Sequence, residues 1–346
     1  MATENKSPEV AAIQTLNQAA LGYIVSAALN VALELGIADL LANGPRSTAD
    51  LAREAGVSED GLYRVLRALA SAGVFEERGN RTFALNPPAS MLCKGPASLH
   101  DVGLWMTDPF HFRVYAETLH SVKTGRPAVE KVTGMPVFEY FAGEPRLSAV
   151  FNNAMTSWSG PTVAAALKAY DFAGITTLVD VAGGHGYVLT SILRQYPAMR
   201  GVLFDLEHVI AGAGPLLESS GVANRVDTAT GDFFQAVPPG GDAYIMKNII
   251  HDWDDDRALP ILANIRKALD GRRDGRVILL EAVIPPGNEP DFGKLIDLEM
   301  LLMPGGRERT AEEFASLFER AGFELARIVP TESPLSVIEA RIAQRT

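Results

Sequence analysis

Residues 176–186 read TTLVDVAGGHG, and this stretch decides the fold. It opens with a short β-branched apolar run and breaks into glycines, after which apolar residues return at helical spacing, at Val188, Leu189, Ile192 and Leu193. A strand, a tight glycine turn and a helix in this order are typical of a ligand-binding loop. Glycine has no Cβ, so a ligand can lie against backbone N–H groups at the start of the helix.

The spacing of the small residues narrows the class of ligand. A dinucleotide fingerprint needs G-x-G-x-x-G, and taking Gly184 and Gly186 as its first two glycines places Leu189 where the third should be. The observed pattern is instead Asp180-x-Ala182-x-Gly184-x-Gly186, which resembles the first motif of class I S-adenosylmethionine (SAM) methyltransferases. Alone, this pattern fits a structural turn equally well.

Composition and charge exclude several classes of function. With 346 residues, of which 47% are hydrophobic, the chain is long enough for two domains and a large core. A net charge of −11 argues against nucleic-acid and anionic-membrane partners. One cysteine, Cys93, permits no internal disulfide, and no run reaches the roughly 18 consecutive apolar residues that span a bilayer. We therefore expect a cytoplasmic protein.

Residues 1–95 are expected to form a winged-helix dimerisation domain. Residues 11–42 are small and apolar in nearly every direction around a helix, which predicts a helix buried on most sides. We expect a second copy of the chain to cover it in a homodimer. Two short helices follow, and Gly79-Asn80 then joins a hairpin, which completes a winged helix. Because residues 1–90 carry seven Lys/Arg against ten Asp/Glu, DNA binding is disfavoured.

Residues 96–172 are expected to form a helical connector that contributes to a substrate pocket. Phe151, Met155 and Trp158 are spaced i, i+4, i+7 and therefore share one face of a helix. This face is either core or the wall of an apolar pocket for an aromatic molecule, in which methionine adapts to flat rings.

Residues 173–346 alternate β-like and helical runs. The strand candidates are 177–182, 201–206, 225–230, 242–247, 276–284, 323–329 and 335–342. The first five, with helices between them, predict a doubly wound parallel sheet. Residues 331–334 alone separate the last two, which is too short for a parallel crossover, so one of these strands should run antiparallel.

Ligands of doubly wound sheets bind at the carboxyl ends of the parallel strands, and each such end here offers a polar group. The second strand ends at Asp205, placed to accept hydrogen bonds from ribose hydroxyls. The third ends at Asp232-Phe233, which offers a carboxylate and an aromatic face to adenine. Lys247 and His251-Asp252-Trp253 follow the fourth strand, and the fifth ends at Glu281.

Together with GGRERT at residues 305–310, these motifs resemble the caffeate/flavonoid/acetylserotonin-type small-molecule O-methyltransferases over essentially the whole chain. That family joins a winged-helix dimerisation domain to a class I SAM-methyltransferase fold, a doubly wound seven-strand sheet with one antiparallel strand. The departures from its pattern are Ala182, His185, Glu207 and one residue fewer before Met303. The first three bear on the affinity for SAM, and the last bears on the acceptor.

The resemblance implies a role for each matching residue. It makes His251 the general base, with Glu281 and Glu308 beside it. The implied SAM-contact positions are Asp180, Ala182, Gly183, Gly184, Gly186, Asp205, Leu206, Asp232, Phe233, Lys247 and Trp253. The implied substrate-contact positions are Phe151, Met155, Trp158, Asp252, Met300 and Met303.

Elementary chemistry supports an imidazole at this place. A phenol has a pKa near 10 and is a weak nucleophile at pH 7 until it loses its proton. A neutral imidazole with a pKa of about 6.5 can accept that proton, and a carboxylate on its other nitrogen fixes the tautomer.

Thr310-x-x-Glu313 has the pattern of a capping box, which leaves Glu308 just outside the next helix and free to face a cleft.

Other interpretations of these residues remain open. His251 could merely precede the next helix, and Glu308 with Arg309 could form a surface pair. Asp252 and the acids at 254–256 could suggest a metal site, since some catechol methyltransferases use Mg²⁺. Adjacent acids at a helix start are better explained by the helix dipole, so no metal is expected.

We therefore predict a homodimeric enzyme that uses SAM, releases S-adenosylhomocysteine (SAH) and methylates a phenolic hydroxyl. The expected acceptor is an aromatic small molecule such as a phenylpropanoid, a flavonoid or a polyketide-like compound. One alternative keeps the scaffold and SAM without methyl transfer, as in related decarboxylases or hydroxylases. Another is a ligand-sensing winged-helix regulator, which the acidic first 90 residues disfavour.

Overall fold

The computed structural model describes residues 7–95, 98–272 and 274–343, and its elements are numbered along the chain. The helices are α1 (Pro8–Glu34), α2 (Ile37–Leu40), α3 (Thr48–Ala55), α4 (Glu59–Ser71), α5 (Pro87–Ser90), α6 (His100–Met106), α7 (Pro109–Tyr115), α8 (Thr118–Thr124), α9 (Ala128–Thr133), α10 (Val137–Gly143), α11 (Pro145–Ala169), α12 (Tyr187–Gln195), α13 (Glu207–Ile210), α14 (Gly214–Ser219), α15 (Asp255–Ala268), α16 (Phe292–Leu302) and α17 (Ala311–Arg320). The strands are β1 (Arg46–Ser47), β2 (Glu76–Glu77), β3 (Thr82–Ala84), β4 (Thr177–Val181), β5 (Arg200–Asp205), β6 (Val226–Thr230), β7 (Ala243–Lys247), β8 (Arg276–Glu281), β9 (Phe323–Val329) and β10 (Ser336–Ile342). Short 3₁₀ turns span Ala223–Arg225 and Ile250–Asp252.

The chain divides into two compact units. One comprises the residues up to Phe112 together with Pro145–Trp158, and the other comprises Arg113–Glu144 together with the residues from Ser159 onward. The expected division at residues 95 and 172 follows the order of motifs along the chain, and it stays a prediction.

The first unit contains the helices and the hairpin that the sequence predicts. Ser47 and Ser58 cap α3 and α4, because their side-chain oxygens accept the N–H groups of Asp50 and Gly61. Strands β2 and β3 pair antiparallel, and β1 pairs with the other edge of β3. The turn between β2 and β3 contains Gly79-Asn80, where both residues have positive φ, as the hairpin prediction requires.

Helix α1 is more exposed within one chain than its composition predicts. Of its residues, Ala32 and Leu33 alone are buried, whereas Leu16 and Tyr23 are 71% and 64% exposed. The helix also has the length and hydropathy of a membrane span, with a mean hydropathy of 1.3 over 18 residues, and this corrects the expectation that no segment would. The reason is that residues 10–33 carry no charge, although Gln and Asn interrupt the apolar run. Helices of soluble proteins meet the same test, so it is weak evidence for a membrane.

Strands β4 to β10 form one sheet in the order β6-β5-β4-β7-β8-β10-β9. The strands from β6 to β8 are mutually parallel, whereas β10 runs antiparallel to both of its neighbours. The predicted doubly wound sheet with one reversed strand is confirmed. The strand order reverses between β4 and β7, and ligands of such sheets bind in the crevice outside the carboxyl ends at this switch point.

Apolar side chains cover both faces of this sheet. Leu178 and Ile245 pack in one core with residues of α12. Their chain neighbours Val179 and Met246 pack in the other core with residues of α15 and α17. Because consecutive strand residues point to opposite faces, burial of both faces requires the near-continuous apolar runs that the sequence shows. The core thus holds the ends of the parallel strands in fixed positions.

The capping box predicted at the start of α17 is present. The side-chain oxygen of Thr310 accepts the N–H of Glu313, and the carboxylate of Glu313 accepts the N–H of Thr310. Two N–H groups that would otherwise lack partners at the start of the helix are therefore satisfied.

Replacing Thr310 with alanine removes one half of this box. We expect the variant Thr310→Ala to lose about 1 kcal/mol of stability, seen by circular dichroism as a lower denaturant midpoint with an unchanged slope. Thr156→Ala is a matched control, because Thr156 lies exposed within α11 and donates to the carbonyl of Asn152. Equal midpoints for the two variants would show that the box does not stabilise the protein.

Candidate active site

A histidine and two glutamates meet beyond the carboxyl ends of β7 and β8. His251 lies in the 3₁₀ turn that follows β7, and Glu281 is the last residue of β8. Nδ1 of His251 lies 2.7 Å from Oε1 of Glu308 and 3.7 Å from Oε2 of Glu281. On the other side of the ring, Nε2 lies 3.6 Å from Oδ1 of Asp252. The fold thus brings these four side chains together.

Both glutamates are buried, and hydrogen bonds fix the carboxylate of Glu281 and the main chain of Glu308. One carboxylate oxygen of Glu281 accepts the N–H groups of Ile249 and Ile250, each at 3.0 Å. The N–H of Glu308 donates to Oδ1 of Asp297 at 2.8 Å. In the part of the chain that the structure describes, Oε2 of each glutamate has no hydrogen-bond partner. One carboxylate oxygen of each glutamate therefore accepts no hydrogen bond from the described residues.

The acids change the basicity of the imidazole. Burial lowers the pKa of His251, but the charges of Glu281, Glu308 and Asp252 together raise it more, to about 10. The expectation of an imidazole with an ordinary pKa is therefore wrong, because three carboxylates surround one ring. Burial also raises the pKa of Glu281 to about 7 and that of Asp252 to about 6.

Two further ionisable groups lie at the ends of β4 and β7, the buried Asp180 and the half-buried Lys247. Burial lowers the pKa of Lys247 to about 8, although neighbouring acids oppose this. Burial raises the pKa of Asp180 to about 7. The carboxylate of Asp180 accepts the N–H of Leu189 at 3.2 Å, and a Cβ on Gly183 would lie 2.6 Å from its Cγ. Asp180 therefore packs against the glycine turn and links it to the first turn of α12.

The glycine loop adopts left-handed backbone at a residue that is not glycine. Ala182 has a φ of 55°, and Gly184 and Gly186 have φ values of 60° and 90°; this conformation costs an alanine about 1–2 kcal/mol. The carboxylate of Asp205 accepts the N–H groups of Gly184 and Leu206 at 2.8 and 2.7 Å. A Cβ on Gly184 would meet no atom within 4 Å. This side of the loop is therefore open to a ligand.

Aromatic side chains follow β6 and the 3₁₀ turn of His251. The N–H of Phe234 donates to Asp232 at 2.8 Å and holds the turn after β6. The rings of Phe233, Phe234 and Trp253 contact one another with centroids 4.8–6.2 Å apart. The guanidinium of Arg257 lies 4.1 Å from the centre of the Trp253 ring. Nε1 of Trp253 is buried without a hydrogen-bond partner among the described residues.

The loop of residues 305–310 packs directly against the turn that carries His251. The N–H of Arg307 donates to the carbonyl oxygen of His251 at 2.8 Å. A Cβ on Gly306 would lie 2.0 Å from that same oxygen and 2.6 Å from the nitrogen of Trp253. The two backbones therefore approach closely enough that only glycine fits at this position.

Glu308 and Arg309 do not form the surface pair that was one interpretation of the sequence. They are 2% and 1% exposed, and they interact with the turn around His251. Glu308 binds the imidazole, and Arg309 donates to the carbonyl oxygens of Ile250 and Trp253. Apart from this surface pair, the sequence analysis gave Arg309 no role. Its position in the motif GGRERT is the sequence feature that could have indicated one.

Asp254, the acid directly before α15, caps this helix. The side chain of Asp254 accepts the N–H of Arg257 at 3.0 Å, as expected at a helix start. The nitrogen and oxygen atoms of His251, Glu281 and Glu308 lie within 4.8 Å of one another, a spacing that metal sites also show. Nδ1 of His251 already makes a hydrogen bond with Glu308. The cluster is therefore explained by an imidazole base and its carboxylate partner, without a metal ion. That no metal takes part stays a prediction.

Comparison with known proteins identifies the family. Residues 17–95 match a family model described as an O-methyltransferase dimerisation domain, and residues 115–324 match one described as an O-methyltransferase domain. The chain belongs to the O-methyltransferase family. It is 42% identical to the phenazine O-methyltransferase PhzM of Lysobacter antibioticus over 99% of each chain.

Two further methyltransferases cover nearly the whole chain. The mitomycin biosynthesis 6-O-methyltransferase of Streptomyces lavendulae is 35% identical over 96% of this chain and 95% of its own length. The crystal structure of CalO1, a methyltransferase in calicheamicin biosynthesis in its SAH-bound form, matches with a TM-score of 0.87 and 34% identity. It covers 98% of this chain and 100% of that one. Both the dimerisation part and the catalytic part are thus shared.

The residues at the strand ends fit the methyl donor of O-methyltransferases. Helix α12 begins at Tyr187, and Gly186 before it has no side chain to cap the helix. In the first turn, the N–H of Leu189 donates to Asp180. The open side of Gly184 lies at the carboxyl end of β4. The indole N–H of Trp253, which finds no hydrogen-bond partner within residues 7–95, 98–272 and 274–343, follows the turn after β7. Asp205 and Asp232 offer carboxylates at the ends of β5 and β6. This chemistry suits a nucleoside with a charged amino-acid tail.

The methionines that the O-methyltransferase pattern places at the acceptor lie at the end of α16. Met300 and Met303 are 8% and 3% exposed. The carbonyl oxygen of Met300 accepts the N–H groups of Gly305 and Gly306 at 2.9 and 3.1 Å. The helix that carries these methionines is therefore joined to the loop that holds Glu308.

Three other predicted acceptor residues lie in the first unit. Phe151, Met155 and Trp158 are half-buried in α11, at positions that share one helix face. The ring of Phe151 packs edge to face on Trp105 with centroids 5.1 Å apart. Their contribution to acceptor binding stays a prediction.

The close approach at Gly306 gives a direct test of the loop contact. In the variant Gly306→Ala, the new methyl group would overlap the backbone of the turn, so the loop must move away from His251. A displacement of about 1 Å is enough to lower turnover roughly 10²-fold. We expect this loss in kcat for methyl transfer, while calorimetry still detects SAH binding.

Gly143→Ala is the matched control for this variant. Gly143 ends α10, and a Cβ there meets no atom within 4 Å, so its turnover should equal that of the wild type. Wild-type turnover in Gly306→Ala would show that the contact between loop and turn does not hold the imidazole.

Proposed function

We propose that this protein is a SAM-dependent O-methyltransferase that methylates a phenolic hydroxyl of an aromatic small molecule, with His251 as the general base. The observation that carries the proposal is the largely enclosed imidazole, which has one nitrogen bound to Glu308 at 2.7 Å and the other directed away from it. Membership in the family supports SAM as the donor, and SAM supplies an electrophilic methyl group.

The donor site is proposed at the ends of β4 to β7. Asp205 would accept hydrogen bonds from the ribose hydroxyls, and Asp232 would accept one from the amino group of adenine. Phe233 and Trp253 would contact the adenine ring. The half-buried Lys247 lies among acids, where it would balance part of their charge beside a cationic donor.

The raised pKa of His251 suits the removal of a phenolic proton. With an ordinary imidazole, the pair of phenolate and imidazolium would lie about 3.5 pKa units, or roughly 5 kcal/mol, above the neutral pair. A pKa of about 10 for His251 brings the two groups to nearly equal proton affinity. Once the imidazole is neutral, the proton can pass to Nε2 at little cost while the oxygen becomes nucleophilic; at neutral pH the neutral imidazole is the minor form, because its pKa is about 10.

The carboxylates have separate tasks in this proposal. Glu308 accepts a hydrogen bond from Nδ1 and so keeps Nε2 available for the acceptor. Glu281 fixes the turn through the N–H groups of Ile249 and Ile250, and its other oxygen stabilises the imidazolium. Asp252, 3.6 Å from Nε2, would contact the acceptor beside its reacting hydroxyl.

The acceptor is proposed to be a planar aromatic compound, of the phenylpropanoid, flavonoid or polyketide-like class. The names of two relatives refer to phenazine and mitomycin, which supports a fused-ring acceptor. Met300 and Met303 are apolar and adaptable, as expected for contacts with flat rings. The family's dimerisation domain and the exposed apolar side chains of α1 support a homodimer. We also propose a cytoplasmic location.

Removal of the imidazole tests the base directly. We expect His251→Ala to lower kcat about 10²–10⁴-fold, the range typical of a lost general base, with SAM affinity by calorimetry close to that of the wild type. The assay uses labelled SAM and a panel of catechols, flavonoids, anthraquinones and phenazinols, with mass spectrometry for a product heavier by one methylene. His120→Ala is the control, because His120 lies in α8 and outside the cluster. Equal turnover of both variants would remove His251 from the mechanism.

The charges around His251 predict how turnover depends on pH. The imidazole acts as a base when deprotonated, so kcat/KM should rise with pH from neutral towards the pKa near 10. In Glu281→Gln one negative charge is lost, the pKa of His251 falls, and the rise should level off at lower pH. Gln keeps an oxygen for Ile249 and Ile250, so the turn is preserved.

The matched control for this pH profile is Glu332→Gln. Glu332 is 73% exposed and pairs with Lys168 on the surface, so its profile should match that of the wild type. If the profile of Glu281→Gln also matched, the carboxylate would not set the basicity of His251.

A further inference from the structure

Arg309 is the largest side chain that is fully buried in the described chain, with 1% exposure. Its Nε and Nη2 donate to one oxygen of Asp255 at 3.2 and 2.9 Å. Nη2 also donates to the carbonyl oxygen of Trp253 at 2.9 Å, and Nη1 donates to that of Ile250 at 3.2 Å. A buried guanidinium is costly unless its donors are satisfied, and here protein oxygens accept from each of its nitrogens.

The two carbonyl oxygens lie on either side of the base. Ile250 precedes His251 in the 3₁₀ turn, and Trp253 follows that turn directly. One planar group that binds both carbonyls fixes the peptide planes at both ends of the turn. The backbone of this turn sets the direction of the Cα–Cβ bond of His251, and the hydrogen bond between Nδ1 and Glu308 then sets the direction in which Nε2 points.

The main chain of Arg309 is itself attached to the catalytic sheet. Arg309 forms a parallel bridge with Val283, two residues beyond Glu281. The N–H of Ile284 donates to the carbonyl oxygen of Arg309 at 2.9 Å. The residue therefore connects three chain segments, which carry His251, Glu281 and Glu308.

We propose that Arg309 is a positioning residue for methyl transfer, whose guanidinium sets the orientation of the His251 imidazole against Glu308. The proposal rests on the function proposed above. A lysine cannot replace this group, because its single ammonium presents a compact charge rather than a planar fork of five N–H donors. The length and charge of lysine are similar, so Arg309→Lys separates geometry from charge.

A purely structural role would have a different signature. Arg309 could merely stabilise the fold, in which case its loss would lower the melting temperature and leave the kcat of the folded fraction unchanged. A positioning role predicts a lower kcat in protein that is fully folded and still binds SAH. It also predicts that a small guanidinium ion can enter the vacated space and restore turnover.

The experiment compares Arg309→Ala and Arg309→Lys with the control Arg320→Ala. Arg320 donates to the other oxygen of Asp255 at 2.7 Å and is half-exposed, so it shares the partner without touching the turn. We expect kcat to fall about 10²-fold in Arg309→Ala, with SAH affinity unchanged. Methylguanidinium should restore kcat about tenfold or more, whereas sodium chloride at the same ionic strength should not. Arg320→Ala should keep wild-type kcat.

A second measurement does not depend on methyl transfer. The proton between Nδ1 of His251 and Glu308 should give a strongly downfield resonance in the wild-type protein, assigned by its absence in His251→Ala. In Arg309→Ala and Arg309→Lys this resonance should shift or disappear, and methylguanidinium should bring it back in the alanine variant. This result stands even if no acceptor on the panel is methylated, so failure of the proposed function is separable from failure of this inference.

Two outcomes would overturn the positioning role. One is an unchanged resonance and wild-type kcat in folded Arg309→Lys, and this variant decides the matter if Arg309→Ala does not fold. The other is a loss of kcat in folded Arg309→Ala that methylguanidinium does not reverse while the resonance stays in place.

Discussion

The structure of the site depends on the burial of several carboxylates around one imidazole. Glu281 and Glu308 are almost without solvent contact, and burial of a negative charge is unfavourable unless it is paired or hydrogen-bonded. The imidazole supplies the positive charge, and this raises the pKa of His251 to about 10. Backbone N–H groups also stabilise Glu281, because Ile249 and Ile250 both donate to one of its carboxylate oxygens. The pairing of β7 with β8 therefore places Glu281 beside the turn that carries His251.

Close backbone contact maintains this arrangement. The loop of residues 305–310 lies so near the turn of His251 that Gly306 has no space for a side chain. The carboxylate of Asp297 accepts the N–H of Glu308, and the carbonyl of Met300 accepts two N–H groups of the same loop. Helix α16, which carries the predicted acceptor contacts, and the loop that carries Glu308 therefore form one hydrogen-bonded assembly. A shift of the helix or of the loop would change the position of Glu308 relative to the imidazole.

The donor side of the crevice follows a different principle. Ala182 adopts a left-handed conformation that glycine would adopt at lower cost. Asp180 packs against the loop and Asp205 joins it to β5. Burial lowers the pKa of Lys247 among these acids.

The sequence alone determined the sheet, the glycine loop, the capping box and the motif residues, because each is encoded locally. Strand runs, glycine positions and helix caps depend on residues a few positions apart, and the resemblance to O-methyltransferases linked His251 with Glu281 and Glu308. The sequence did not reveal the basicity of His251, the close approach at Gly306 or the role of Arg309. These properties depend on distances between segments up to 59 positions apart. Only the folded chain sets such distances, and with them the charges that one side chain experiences from another.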